Sequence, residues 1–182
     1  MPLSSIDTRK EFQGRYAELL SCGLAMGMIA PPDGPPQDLS SLRLLGSSQK
    51  VVKGLKVGVV TTVLYLSPDH EAFGEDATRG ATMCAWATGG GRDVHGRLTD
   101  DPEKRILGCS DVCLVSSGQL GMPASYNARL WKTLLYKIDE GLFNRMLGEE
   151  ISDFEVRVRS MAPDKIPAVR LDGTSDQGFG GT

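Results

Sequence analysis

The run Leu55–Leu66 (LKVGVVTTVLYL) constrains the fold more than any other stretch of this chain. Its β-branched and aromatic residues occupy both alternating faces, which suits a strand buried on two sides and hence a parallel or mixed sheet covered by helices. Pro68, which has no amide to donate, ends it. In such sheets the loops leaving the carboxyl ends of strands carry the chemistry. The loop leaving this one is expected to run from about Ser67 to Pro123, far beyond the usual connection length, and it contains Cys84, Cys109 and Cys113. The expected class is therefore α/β, a partial parallel sheet or an incomplete (βα) barrel-like domain with a long cysteine-containing loop. Ile166–Leu171 is expected to add a further short strand.

Composition narrows the function classes. A chain of 182 residues, 40% hydrophobic and 24% charged, suits one sizeable core. Its formal charge of −3 argues against broad, sequence-independent binding to nucleic acid, while leaving room for a local basic patch. The opening MPLSSIDTRKEF has no apolar signal core, and Leu19–Ala30 is too short and too Gly-rich to span a bilayer. A cytoplasmic protein with no membrane partner is expected. In a reducing compartment cysteines point to metal binding or reactivity rather than to disulfides.

Three regions follow from the pattern. Residues 1–29 read as an N-terminal helical arm: Thr8 and Glu11 have the capping-box spacing, Phe12, Tyr16, Leu19 and Leu20 share a face, and the helix is expected over Arg9–Ser21. Cys22, at its end, is expected to be a small buried hydrophobe. Residues 30–40, which include APPDGPPQD, read as a Pro-rich linker. Residues 41–182 form the α/β domain.

Within the loop, Cys109 and Cys113 stand four positions apart and Cys84 precedes Ala85-Trp86 and the triplet Gly89-Gly90-Gly91. Three thiolates within reach of one another can hold three corners of an iron–sulfur cluster, or three zinc positions with His95 as the fourth. Buried thiols in an ordinary helix start are the alternative. The glycine triplet with Arg92 has the makings of an anion nest, but no strand precedes it and no P-loop lysine follows, so a flexible insertion is expected there. Asp100–Arg105 reads as a solvated turn around Pro102.

Beyond Pro123 a helix is expected from about Ser125, with Leu130, Leu134 and Ile138 as its core stripe, widened by Trp131 and Leu135. Arg129 and Lys132 lie three apart near the cysteine loop; they are candidate anion ligands, or else a solvated face. Asp139 is placed to cap a second helix carrying Phe143, Leu147, Ile151, Phe154 and Val158 at three- and four-residue steps. Phe154–Arg159 also alternates strictly, so helix and strand both stay open there. After the Ile166–Leu171 strand come Asp172, Thr174 and Asp176, polar groups at a carboxyl end and candidate cofactor ligands; a turn closing the strand is the other reading.

Several of these segments, in this order, resemble the phage "Gene product 88" family: Val57–Pro68 (VGVVTTVLYLSP), Cys109-Ser-Asp-Val-Cys113 with Leu-Val-Ser-Ser-Gly118, Ala128–Thr133 (ARLWKT), and Ile166–Asp176 (IPAVRLDGTSD). The resemblance covers roughly residues 55–176. It implies a phage or prophage origin, helix rather than strand through Arg159, and a cysteine triad matching Cys84, Cys109 and Cys113. Family members keep the first two cysteines close together, whereas here a stretch with the glycine triplet is inserted between them. Members also continue past Asp176, so this chain is expected to be C-terminally short. The three-cysteine loop after a buried strand is similar in architecture to that of radical S-adenosylmethionine enzymes, which implies an iron–sulfur cluster with S-adenosylmethionine oriented by Asp172 and Asp176.

Two functional expectations result, and they leave open whether the chain is an enzyme. The first is a phage-type iron–sulfur protein, radical S-adenosylmethionine-like, of unknown substrate. The second is a non-enzymatic accessory protein, zinc-stapled or metal-free, that binds nucleic acid or a protein partner. A homo-oligomer or protein partner engaged through the N-terminal helix or the C-terminus is compatible with both, as is the host cytoplasm.

Overall fold

A computed structural model describes residues 5–46, 54–73, 101, 103–104 and 121–171. At its centre is strand β2, Val59–Leu64. The short strand β1, Leu45–Gly46, pairs antiparallel with it, Leu45 opposite Leu64. On the other side β3, Ile166–Arg170, runs parallel, Val59 opposite Ile166 and Val63 opposite Arg170. The result is an open, mixed three-stranded sheet in the order β1-β2-β3, a mixed α/β class with a partial sheet as expected.

The strand begins later than its apolar run. Gly58 has φ 83°, a left-handed conformation that costs glycine nothing, and the turn bonds Val57 N to Gly54 O and Gly58 N to Leu55 O occupy the residues before it. Coverage on both sides is also confined to the second half: Thr62, Val63 and Leu64 are buried, whereas Val59 to Thr61 are half-buried. The β-branched content of the run reflects strand propensity along its whole length, but only its carboxyl half lies under helices.

The described residues also form four helices: α1 (Ser5–Ala25), the short α2 (Asp69–Phe73), α3 (Pro123–Ile138) and α4 (Glu140–Met161). Leu130, Trp131, Leu134 and Leu135 of α3 are buried as the stripe predicts. Asp139 accepts a hydrogen bond from Leu142 N at 2.8 Å and starts α4, the capping role read for it. Through Phe154–Arg159 the chain stays helical: Val158 is buried while Val156 is 65% exposed. Alternation would have put these two on one strand face; the helical period separates them.

The N-terminal helix is part of the main core rather than an arm. Phe12 and Leu19, both at most 1% exposed, share one apolar cluster with Leu42, Leu44, Leu64, Leu66, Trp131 and Phe143. Phe12 lies 5.6 Å from the Trp131 ring. The helix starts at Ser5, so Thr8 is inside it and does not cap it; its hydroxyl donates to Glu149 Oε2 of α4 at 2.6 Å. The helix also runs past the expected stop, to Ala25, and within the added turn Gly23 lets Leu134 approach the backbone closely: a Cβ there would lie 2.2 Å from Leu134 Cδ1. Gly27, at φ 83°, ends the helix, and Cys22 is exposed, not buried. The proline-rich segment is docked as well: Asn127 accepts from Asp33 N at 2.9 Å and donates to Gly34 O at 2.7 Å, and Gln13 donates to Gln37 O at 2.6 Å. Among the described residues, no helix is long and apolar enough to cross a membrane.

Candidate functional site

Because β2 and β3 are parallel, their carboxyl ends leave the sheet at one edge. The chain leaves β2 through Leu66 and Ser67, 1% and 0% exposed, and enters α2. Ser67 N donates to Thr133 Oγ1 of α3 at 2.8 Å. Its own hydroxyl is buried and, among the described residues, finds no hydrogen-bond partner. An unmet buried hydroxyl costs on the order of 1–3 kcal/mol, the kind of expense that proteins tolerate near functional edges.

Helix α3 faces this edge and is buried at every position from Arg129 to Leu135. A helix so enclosed has no solvated side, so Arg129 and Lys132 go inside, at 2% and 8% exposure; the solvated-face reading of these two does not describe them. Arg129 meets Glu71 of α2 with a two-pronged contact, Nε to Oε2 at 3.0 Å and Nη2 to Oε1 at 2.6 Å. That fork-to-carboxylate geometry is the strong form of an ion pair. It also ties together the two elements that flank residues 74–122, the stretch that holds all three candidate cysteine ligands.

Lys132 sits differently. Among the described residues no acceptor lies within hydrogen-bonding reach of its ammonium, whose nearest aromatic neighbour is the Trp131 ring at 5.5 Å from Nζ. Burial pushes it down from 10.5 to about 8; the charge of Glu150 opposes the shift and that of Arg129 adds to it. Glu150, on α4, is 6% exposed. It accepts Leu44 N and Leu45 N, each at 2.9 Å, and Arg9 Nη2 stands 3.8 Å away. Burial raises its carboxyl above the ordinary range, against these amides and the charges of Arg9 and Lys132. A chain of charge thus runs Glu71, Arg129, Lys132, Glu150, Arg9, in which cations outnumber carboxylates among the described residues. Such an edge favours negative charge and holds an amine that is partly neutral near pH 8.

Of the residues singled out from the sequence, Arg129 and Lys132 are brought together here. Cys84, His95, Cys109, Cys113, Asp172, Thr174 and Asp176 lie outside the described residues. Among the described residues no group of three or more His, Cys, Asp or Glu side chains could hold a metal. Glu71, Glu150, Ser67 and Thr133 were missed. Glu150 had a readable signal, since it falls three after Leu147 and four before Phe154 and so interrupts the apolar stripe of its own helix. Glu71 had none: its partner is far away in sequence.

No protein-family model matches this chain, and neither the curated proteins nor the solved structures include one similar to it.

Proposed function

We propose that this chain is a phage-type metalloprotein, of the kind represented by the "Gene product 88" proteins it resembles, in which Cys84, Cys109 and Cys113 hold an iron–sulfur cluster at the carboxyl edge of the partial sheet. The observation that carries the proposal is the Glu71–Arg129 clasp. Three thiolates spread over a long stretch meet at one centre at lower entropic cost when that stretch is closed at its base, and the buried ion pair joins the elements on either side of it. Closing a long loop in the folded frame removes entropy that metal binding would otherwise have to overcome. The excess of cations at this edge supports the same reading, since a thiolate-ligated cluster is anionic.

The donor set fits such a group chemically: three soft thiolates suit iron–sulfur or zinc. A cluster held by three cysteines leaves one iron open to a further ligand and supplies one-electron chemistry, the arrangement used with S-adenosylmethionine. Asp172, Thr174 and Asp176 are the proposed orienting residues, because they follow β3, whose parallel register with β2 directs the chain out at the shared edge. Arg129 and Lys132 act from beneath, through charge. Being buried, they offer no face to nucleic acid. A reducing cytoplasm, that of the host for a phage protein, is the proposed location because it keeps the thiols available.

The test is the visible spectrum of protein purified without oxygen. Cys84→Ser, Cys109→Ser and Cys113→Ser are each expected to abolish the cluster absorbance, and Cys22→Ser to leave it intact. A Cys109→Ser protein with the unaltered spectrum overturns the ligand assignment. Stoichiometric zinc in place of iron would instead establish the stapled accessory protein.

A further inference from the structure

Away from the carboxyl edge, a cleft of about 340 Å³ opens between the β1–β2 side of the sheet and the second half of α4. Arg9, Arg43 and Arg157 all line it, each from a different element: α1, the segment entering β1, and α4. Guanidinium groups repel one another, so three around one small cleft have a reason to be there only if something negative joins them.

Two carboxylates lie in the same cleft, Glu150 and Asp153, fewer than the three guanidiniums, and neither is hydrogen-bonded to them among the described residues. Both oxygens of Glu150 are engaged by the amides of Leu44 and Leu45. Its approach to Arg9 is 3.8 Å, beyond hydrogen-bonding distance, although the Arg9 side chain is only 10% exposed. A nine-tenths-buried arginine with an ion-pair partner at 3.8 Å but no hydrogen-bonded acceptor among the described residues has donors left for a ligand in the cleft. Arg43 uses Nε on Ser40 O at 2.8 Å; no other contact engages its two Nη groups among the described residues. Asp153 and Arg157 are four apart on α4 and both exposed, so their attraction is screened by water.

The remaining lining gives shape and some polarity. Leu45 and Val60 contribute apolar wall, Thr61 a hydroxyl, and Thr62 spends its hydroxyl on Gly46 O at 2.9 Å. The volume is at the small end of the range for ligand pockets. A planar carboxylate has two oxygens and satisfies one fork. A phosphate presents three or four oxygens tetrahedrally and can accept from forks arriving in different directions. An extended nucleic acid would need a basic stripe rather than one concave site.

We infer that this cleft binds a phosphate-bearing small molecule, gripped by Arg9, Arg43 and Arg157. The site uses none of the cysteines and does not depend on the presence of a metal. On β2 it is lined by residues 60–62, and Glu150 and Arg9 are the buried charges that it shares with the carboxyl edge.

Inorganic pyrophosphate, titrated calorimetrically into the full chain at low ionic strength, tests the assignment. Saturable binding of one equivalent is expected, weakening as salt rises. Arg43→Gln and Arg157→Gln, both at exposed positions, should leave folding intact, and each is expected to weaken binding roughly tenfold. Citrate at matched ionic strength should bind far more weakly. Absence of saturable pyrophosphate binding, unchanged affinity in the Arg43→Gln/Arg157→Gln double variant, or equal binding of citrate would each overturn it.

Discussion

Replacing Lys132 with methionine should stabilise this protein at neutral pH, and the advantage should disappear toward pH 10.5. Methionine keeps the length and apolar stem of the side chain and removes the charge. In the folded protein the ammonium is held down at about 8 against an ordinary value of 10.5. The unfolded chain therefore binds more protons between these values, and stability rises with pH across that window. Below pH 8 the full cost of the buried charge is felt; above 10.5 both states are neutral and the cost is gone. A difference of that size corresponds to about 3 kcal/mol. Lys132 also steadies Glu150, which keeps its two amide donors and Arg9 when the lysine is removed, so the net gain at pH 7 should be about 1–3 kcal/mol. Urea denaturation of both proteins at several pH values from 7 to 10.5 measures it. Tyr16, Tyr126 and Tyr136, all raised by burial, lower stability above pH 10, but they do so in both proteins and cancel in the difference. Should Lys132→Met be less stable than the parent with a difference that does not vary with pH, the ammonium would have to be a satisfied structural contact and the reasoning would fail.

The clasp should be costly to break from one side. Glu71→Gln leaves a guanidinium that is 2% exposed without its carboxylate, and a loss of about 3 kcal/mol is expected in urea denaturation, with part recovered in Glu71→Gln/Arg129→Met. Gly23→Ala sets two effects against each other: alanine gains about 1 kcal/mol in helix propensity, while the new methyl collides with Leu134, itself 1% exposed, at a repacking cost of about 1–3 kcal/mol. Thermal unfolding should show a small net destabilisation, and a stabilised variant would mean that Leu134 has room to move. Exposed Cys22 should react with a thiol reagent in the folded protein, so that Cys22→Ser loses one equivalent of labelling under native conditions.

What could be read from the sequence was what depends on neighbours along the chain. The Asp139 cap and the Leu130, Trp131, Leu134, Leu135 stripe are local patterns, and the structure reproduces them. The strand at Ile166 is of the same kind, whereas β2 stops at Leu64, short of the expected end before Pro68. The misreadings share a different cause. Thr8 looked like a cap because Glu11 follows at the right spacing, yet its hydroxyl is taken by Glu149, far along the chain. Cys22 looked like the buried end of a helix, but Leu134 packs against Gly23 and orients that end so that the thiol faces outward. Arg129 and Lys132 looked like a wet face because charged residues usually are. Their burial is decided by Glu71 and Glu150, which arrive from other elements, and by a helix covered on all sides. Charge alone does not reveal enclosure; only the tertiary neighbours do.

On the proposed reading, the three-cysteine stretch, closed at its base by Glu71 and Arg129, holds an iron–sulfur cluster. Iron and acid-labile sulfide determined on the full chain purified without oxygen test it most directly. About four irons and four sulfides per chain are predicted; protein that contains neither after anaerobic purification and reconstitution with iron and sulfide would contradict the claim.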